Sequence, residues 1–335
     1  MQGRALVIQT SFIGDTVLTT PLIARLAEQG PVDVVVTPVS APLLANNPGI
    51  ASVIVYDKRS ADRGLGGFIR LVRLLRNNRY AVAYHAQGSV RSAALSLAAG
   101  IRERVGFETS AGRRLYTRRV PYIEGDHHAT RLLGLAGNHA STIERPHPRL
   151  YPGQRERASV DALLGDAGSA NEPFVAFAPG SVWATKRWPE YAALAKELDF
   201  RIVIVGSGAD RELAAEISRA GARTVDATGR LSLLESAELI RRAAVLVTND
   251  SAPLHLASAV GTPTLAIFGP TVPEFGFGPL APRSRVLGVS SLACRPCDRH
   301  GPQRCPLGHW RCMREITPRQ VAAAMQELLA PPTRS

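Results

Sequence analysis

The chain of 335 residues is 45% hydrophobic, 20% charged and 6% aromatic, with 29 glycines and 24 prolines spread along it. This balance excludes a disordered, collagen-like or low-complexity protein, and the length exceeds one ordinary domain, so a soluble globular protein with two packed cores is expected. Forty Lys and Arg stand against 28 Asp and Glu, and the excess of +12 is uneven: +9 in residues 1–165 and +3 in residues 166–335.

Short apolar runs alternate with longer helical patterns along the whole chain, the signature of parallel sheets with crossover helices. The apolar core Ala5–Ile8 is too short for a signal peptide and is followed by Asp15 with no cleavage site, so it reads as the first buried strand, Ala5–Gln9. Further strands are expected at Val32–Thr37, Ser52–Tyr56 and Ala81–His85, with helices Val17–Gln29, Gly67–Asn78 and Ser89–Ala99. Three prolines and mixed charge in STIERPHPRLYPGQRER, residues 141–157, mark a connector, and a helix near Glu156–Leu164 is expected to end the first unit. The alternation restarts with strands Phe174–Ala178, Arg201–Val205, Arg223–Val225, Val245–Thr248 and Thr264–Phe268. Between them come helices Glu190–Leu198, Asp210–Ala220, Leu233–Arg242 and Ala252–Val260, and Pro318–Leu329 closes the chain. The expected architecture is α/β: two doubly wound Rossmann-like domains, 1–165 and 166–335, facing a cleft, with ligands at the carboxyl ends of the strands. No apolar run reaches the 18 residues of a transmembrane helix.

The basic first half suggests an anionic partner: nucleic acid, an anionic membrane surface or a phosphorylated substrate. Coding bias is the alternative source of the charge, since Lys58, Lys186 and Lys196 are the only lysines and every other basic residue is Arg. All four cysteines fall between 294 and 312, which fits a cytoplasmic chain better than a disulfide framework.

Three strand-to-helix segments carry chemistry. In Ser11-Phe12-Ile13-Gly14-Asp15 the carboxylate of Asp15 either caps the first helix or is presented to a ligand. In the second, running from Ala178 to Pro189, Ser181, Thr185, Lys186 and Arg187 precede Pro189, placed here at the first helical position, so that helix amides and a cation would face an anion. The first segment lacks the three spaced glycines of a dinucleotide fingerprint, and the second lacks the glycine and Lys-Ser/Thr spacing of a Walker A loop. In the third, running from Thr248 to His255, Asp250 or Ser251 can cap a helix whose first turn holds Pro253 and His255.

Taken in order, SFIGDTVLTTPL, PGSVWATKRWPEYAALAKEL, DATGRLSLLESAELI and TNDSAPLHLASAVGTPTLAIFGPT resemble the ADP-heptose:lipopolysaccharide heptosyltransferases, inverting enzymes of the GT-B fold in glycosyltransferase family 9. Gln87-Gly88-Ser89, Arg91-Ser92 and Arg104-Val105-Gly106-Phe107 add to the likeness, and CRPC…CPLGHWRCM is like the segment of members that add the second core heptose. The resemblance implies Asp15 as general base and Lys186 as the cation against the donor diphosphate. It implies donor contacts from Ser181, Thr185, Thr228, Gly229, Asp250, Ser251 and His255. It further implies an ADP-heptose donor, a lipid A-Kdo/heptose acceptor and no cofactor for the transfer. The first half would bind the acceptor, the second the nucleotide sugar, and the enzyme would be cytoplasmic and peripheral at the inner membrane. Arg59, Arg63, Arg70 and Arg91 are the candidate contacts to a polyanionic acceptor.

Two residues depart from the family pattern: Ala252 stands where Gly is usual, and His85 where Asp is frequent. A methyl group at 252 conflicts with a close diphosphate approach or a positive φ. Cys294, Cys297, Cys305 and Cys312, with one CxxC pair, can form a structural zinc site, free thiols or a redox-dependent disulfide. Rival functions are a GT-B enzyme for another nucleotide sugar or acceptor, and a basic nucleic-acid-binding protein. The arginines are scattered through an enzyme-like pattern rather than arranged with aromatics, which disfavours nucleic acid.

Overall fold

The computed structural model describes residues 3–137, 146–166, 172–221 and 223–330. The chain divides into two compact units, Met1–Tyr151 and Pro152–Ser335. Among the described residues the first contains, in order, β1 (Ala5–Gln9), α1 (Ile13–Leu18), α2 (Thr20–Ala27), β2 (Val32–Val36), β3 (Ser52–Val55), α3 (Gly64–Asn77), β4 (Val82–His85), α4 (Val90–Ala98), β5 (Glu103–Phe107), β6 (Arg118–Val120) and α5 (His128–Gly134). Its sheet has the order β3-β2-β1-β4-β5-β6, and every pair is parallel. Leu6, Ile8, Val35, Ile54, Leu71, Leu75, Ala83 and Leu95 pack into one core, joining strands to α3 and α4. Fully burying one such aliphatic chain contributes about 1.5–3 kcal/mol.

The expected helix 17–29 starts earlier and is interrupted. Pro21 has no N–H for the carbonyl of Val17, and the Thr20 hydroxyl donates to that carbonyl instead at 2.8 Å, so α1 ends and α2 begins with Pro21 in its first turn.

The second unit contains α6 (Gln154–Asp166), β7 (Phe174–Ala178), α7 (Tyr191–Glu197), β8 (Arg201–Ile204), α8 (Arg211–Ala220), β9 (Thr224–Asp226), α9 (Leu233–Arg242), β10 (Val245–Asn249), α10 (Ala252–Val260), β11 (Thr264–Ile267), β12 (Ser284–Leu287), α11 (Arg311–Arg314) and α12 (Pro318–Leu329). Its parallel sheet has the order β12-β11-β10-β7-β8-β9. The expected boundary at 165 moves to 151, because α6 belongs here: Arg242 of α9 donates to Asp161 at 2.5 Å and to the carbonyl of Arg157 at 3.1 Å. Residues 141–145 of the expected connector lie outside the described residues, and 146–153 form neither helix nor strand. Among the described residues no helix is long and apolar enough to cross a membrane.

Candidate active site

In each sheet the chain winds outward in both directions from a central strand, and the loops that leave two adjacent strands in opposite directions open a crevice at their carboxyl ends. In the first unit these strands are β1 and β4. Ile8 lies level with His85, so the segments beginning at Thr10 and Gln87 leave the sheet side by side. Gln87 Nε2 donates to Thr10 Oγ1 at 2.6 Å and to Ser92 Oγ at 2.5 Å, tying the two segments together. Asp15 is the third residue of α1, inside the helix rather than its cap, which settles the first of its two expected roles. Ser11 Oγ donates to Asp15 Oδ2 at 2.6 Å, and His128 Nε2, from the start of α5, stands 4.0 Å from Oδ1.

Lys58, which the sequence reading assigned no role, reaches this crevice from the segment after β3. Its ammonium donates to the Thr10 carbonyl at 2.7 Å, and burial, then Arg59 and Arg91, hold its pKa below the usual lysine value. Its rarity was the available signal: it is one of three lysines among 40 basic residues. Of the four proposed acceptor arginines, Arg91 Nε donates to Tyr56 Oη at 2.7 Å and Arg70 is ion-paired with Asp62. The other two, Arg59 and Arg63, are exposed.

His85 is a core residue. Its ring stacks on Tyr116 with centroids 4.7 Å apart, and Nε2 lies 3.0 Å from Ser96 Oγ. Since the Ser96 hydroxyl donates to the Ala93 carbonyl, His85 carries its proton on Nε2 and donates to Ser96. Burial, then the charge of Arg104, push its pKa down to about 3. The unfolded chain therefore takes up the proton near pH 6.5 and the folded chain only near pH 3, so this stabilisation is complete above pH 6.5 and lost as pH falls, by about 1.4 kcal/mol per pH unit. Urea midpoints measured from pH 7 to 5 should fall less steeply in His85→Gln than in the unsubstituted protein. Equal slopes would remove His85 as a neutral buried group.

In the second unit the corresponding strands are β7 and β10, with Thr248 level with Ala178. Asn249 joins the segments that follow: its Nδ2 donates to the Pro179 carbonyl at 2.8 Å, and its Oδ1 accepts from the Trp188 amide at 3.1 Å. Lys186 Nζ is 2.6 Å from Asp250 Oδ2, which also accepts from Thr271 Oγ1 at 2.7 Å. Lys186 and Asp250 are 7% and 9% exposed, so this is a buried ion pair. Thr271 completes it from the segment after β11, and its role could not be read from the sequence.

Lys186 ends a 3-10 turn, Ala184–Lys186. Helix α7 begins only at Tyr191, so Pro189 precedes the helix instead of opening it, and the expected face of helix amides is not formed there. Ser181 Oγ accepts from the Trp183 amide at 3.3 Å, and the Thr185 hydroxyl donates to the Pro302 carbonyl. Thr228 donates to Asp226 Oδ1 at 2.6 Å. Gly229 has φ +67°, and a Cβ there would stand 2.9 Å from Gly208 Cα, so only glycine fits. Ser251 takes the cap position of α10, although its side chain makes no capping bond, and buried His255 lies in the first turn, edge-on to Phe277. Ala252 opens α10 and is absent from the described non-glycine residues with positive φ, so its methyl group meets no backbone conflict.

The cysteine segment straps the Lys186 turn. Trp310 Nε1 donates to the Thr185 carbonyl at 2.8 Å, Gln303 Nε2 donates to the Val182 carbonyl at 3.0 Å, and Gln303 Oε1 accepts from the Ala184 amide at 3.1 Å. A Cβ at Gly301 would lie 3.3 Å from Lys186 Cε, so glycine lets the strap rest on the lysine stem. All four cysteines are free, and among the described residues no set of three or more His, Cys, Asp or Glu side chains is arranged to hold a metal ion. The structure does not decide between the zinc site allowed by the spacing and free thiols. Cys297 Sγ donates to the Cys294 carbonyl at 3.2 Å, and Cys305 Sγ accepts from the Trp310 amide at 3.4 Å. Burial first, then the neighbouring cysteines, push Cys297 up and Cys312 to about 11, which keeps both protonated at neutral pH.

Two doubly wound parallel-sheet units, each gathering polar groups where its winding reverses, are the plan of a GT-B glycosyltransferase. The chain belongs to glycosyltransferase family 9 (heptosyltransferase), whose model matches residues 68–308. It is 30% identical to lipopolysaccharide heptosyltransferase 1 of Pseudomonas aeruginosa over 98% of this chain and 99% of that protein. With lipopolysaccharide heptosyltransferase 2 of Salmonella typhimurium it shares 28% identity over 98% and 99% of the two chains. The solved structure of Escherichia coli ADP-heptose lps heptosyltransferase II superposes with a TM-score of 0.79 at 27% identity, over 97% of this chain and 98% of that one.

Proposed function

We propose that the protein transfers a heptose from ADP-L-glycero-D-manno-heptose to the inner core of lipopolysaccharide, with inversion at the anomeric carbon. Asp15 accepts the proton of the acceptor hydroxyl as its oxygen bonds to that carbon. The bond to the β-phosphate oxygen breaks and its electron pair leaves with ADP. Lys186 offsets the charge that develops on the departing diphosphate, which competes with Asp250 for the ammonium. Ser181, Thr185, Thr228, Gly229, Asp250, Ser251 and His255 make up the donor side. Arg59, Arg63, Arg70 and Arg91 belong to the acceptor side, where a lipid A-Kdo/heptose acceptor presents several anionic groups to the more basic half of the chain. The reading draws on no cofactor and places the enzyme at the cytoplasmic face of the inner membrane.

One observation carries this reading: each unit sets a suitable group where its winding reverses, Asp15 held by Ser11 in the first and Lys186 against Asp250 in the second. The relatives, two lipopolysaccharide heptosyltransferases and an ADP-heptose lps heptosyltransferase, support the substrate pair. Release of nucleoside diphosphate should be measured with ADP-heptose, UDP-glucose and GDP-mannose as donors and heptose-deficient lipopolysaccharide as acceptor. ADP-heptose alone is expected to be turned over; turnover of a UDP or GDP sugar with none of ADP-heptose would overturn the reading.

A further inference from the structure

From Arg63 to Arg102 the chain runs for 40 residues without an aspartate or glutamate and carries seven arginines. Helix α3 forms the first part of this stretch. Gly67, Leu71 and Leu75 fix its buried face. Its outward face is not the mixed-charge surface of a solvated helix: Leu65 is 73% exposed and Ile69 38%, and exposed Arg73 and Arg76 follow Ile69 at i+4 and i+7 on the same face. The start of α4 extends the same surface. Arg91 donates to the carbonyls of Asp62 and Gly64 at 3.4 Å, which sets Val90, 53% exposed, near the first turn of α3. Both helices begin beyond the carboxyl ends of strands, the edge of the sheet at which Asp15 stands.

We propose that the outward face of α3, with the start of α4, docks on a bilayer containing anionic lipid. Leu65 and Ile69 enter the boundary between head groups and acyl chains, and Arg73 and Arg76 meet lipid phosphates. An apolar face free of acids and flanked by arginine complements such a surface, while nucleic acid would use the arginines and leave Leu65 and Ile69 in water. The proposal deepens the reading of a membrane-held acceptor, yet docking and transfer can be measured apart. Each basic residue near an anionic bilayer raises affinity about five-fold.

The test is co-sedimentation of the full chain with vesicles of phosphatidylcholine alone and with 30% phosphatidylglycerol, at low and high salt. The unsubstituted protein is expected to bind the anionic vesicles and to be released by salt. The variant Leu65→Ser/Ile69→Ser/Arg73→Glu/Arg76→Glu should bind at least about a hundred-fold less. It should keep its far-ultraviolet circular dichroism and its turnover with a delipidated oligosaccharide acceptor. If the fourfold variant melts early, Arg73→Glu/Arg76→Glu carries the same expectation with a loss of about twenty-five-fold or more. Unchanged vesicle binding by the variants, no binding by the unsubstituted protein, equal affinity for a DNA duplex, or a dimer in sedimentation velocity that the substitutions dissolve would each overturn the proposal. Vesicle binding without any heptose transfer would overturn the proposed function and leave this surface standing.

Discussion

Asp15→Asn is expected to lower kcat by about 10²–10⁴, the usual contribution of a positioned general base. The amide keeps the size of the carboxylate and can still accept from Ser11 Oγ, now 2.6 Å from Oδ2, so α1 and its junction with β1 should stay in place. What is lost is the capacity to take a proton from the acceptor hydroxyl. Since the donor side is assigned to the second unit, ADP-heptose affinity measured by calorimetry should not change. Turnover close to that of the unsubstituted enzyme would remove Asp15 as the base, and loss of donor binding would show that the substitution acts through structure.

Lys186 and Asp250 should show two effects that can be separated. Removing either member of a buried ion pair leaves an uncompensated charge, at a cost of about 3–5 kcal/mol. For a unit of this size that corresponds to a fall of roughly 10 °C in melting temperature for Asp250→Ala or Lys186→Ala. Replacing both, as in Lys186→Met/Asp250→Leu, removes the charges together and should recover most of that stability. Turnover should not return with it, because no cation then faces the departing diphosphate, a deficit of about 10²–10³ in kcat. Stability and turnover measured on the three variants decide the matter. Recovery of both in the double variant would make Lys186 a structural residue only.

Sequence periodicity located the interior of both units, and the physics of burial explains where it stopped. Strands β1 and β7 and helices α9, α10 and α12 lie at their expected bounds, because central strands are continuous apolar runs and these helices begin at caps or at proline. The missed strands β5, β6 and β12 lie toward or at the sheet edges, where Glu103, Arg118, Arg119 and Arg285 face solvent and no apolar run develops. Helix α5, which brings His128 toward Asp15, has seven residues and too short a pattern to recognise. Asp15 and Lys186 were legible as segments between strand and helix. Their partners were not: Asp250 is 64 residues from Lys186, and only the crossover between β7 and β10 brings them together. Pro189 misled for a local reason, because the fixed φ of proline fits an extended or turn position as well as a first helical turn.

The stereochemistry of the product tests the central claim most directly. Transfer from ADP-heptose labelled with carbon-13 at the anomeric position, read by the one-bond carbon–hydrogen coupling of the new linkage, should give the configuration opposite to that of the donor, in a single displacement that requires Asp15. A product that retains the donor configuration, or inversion that proceeds equally well in Asp15→Asn, would contradict the account.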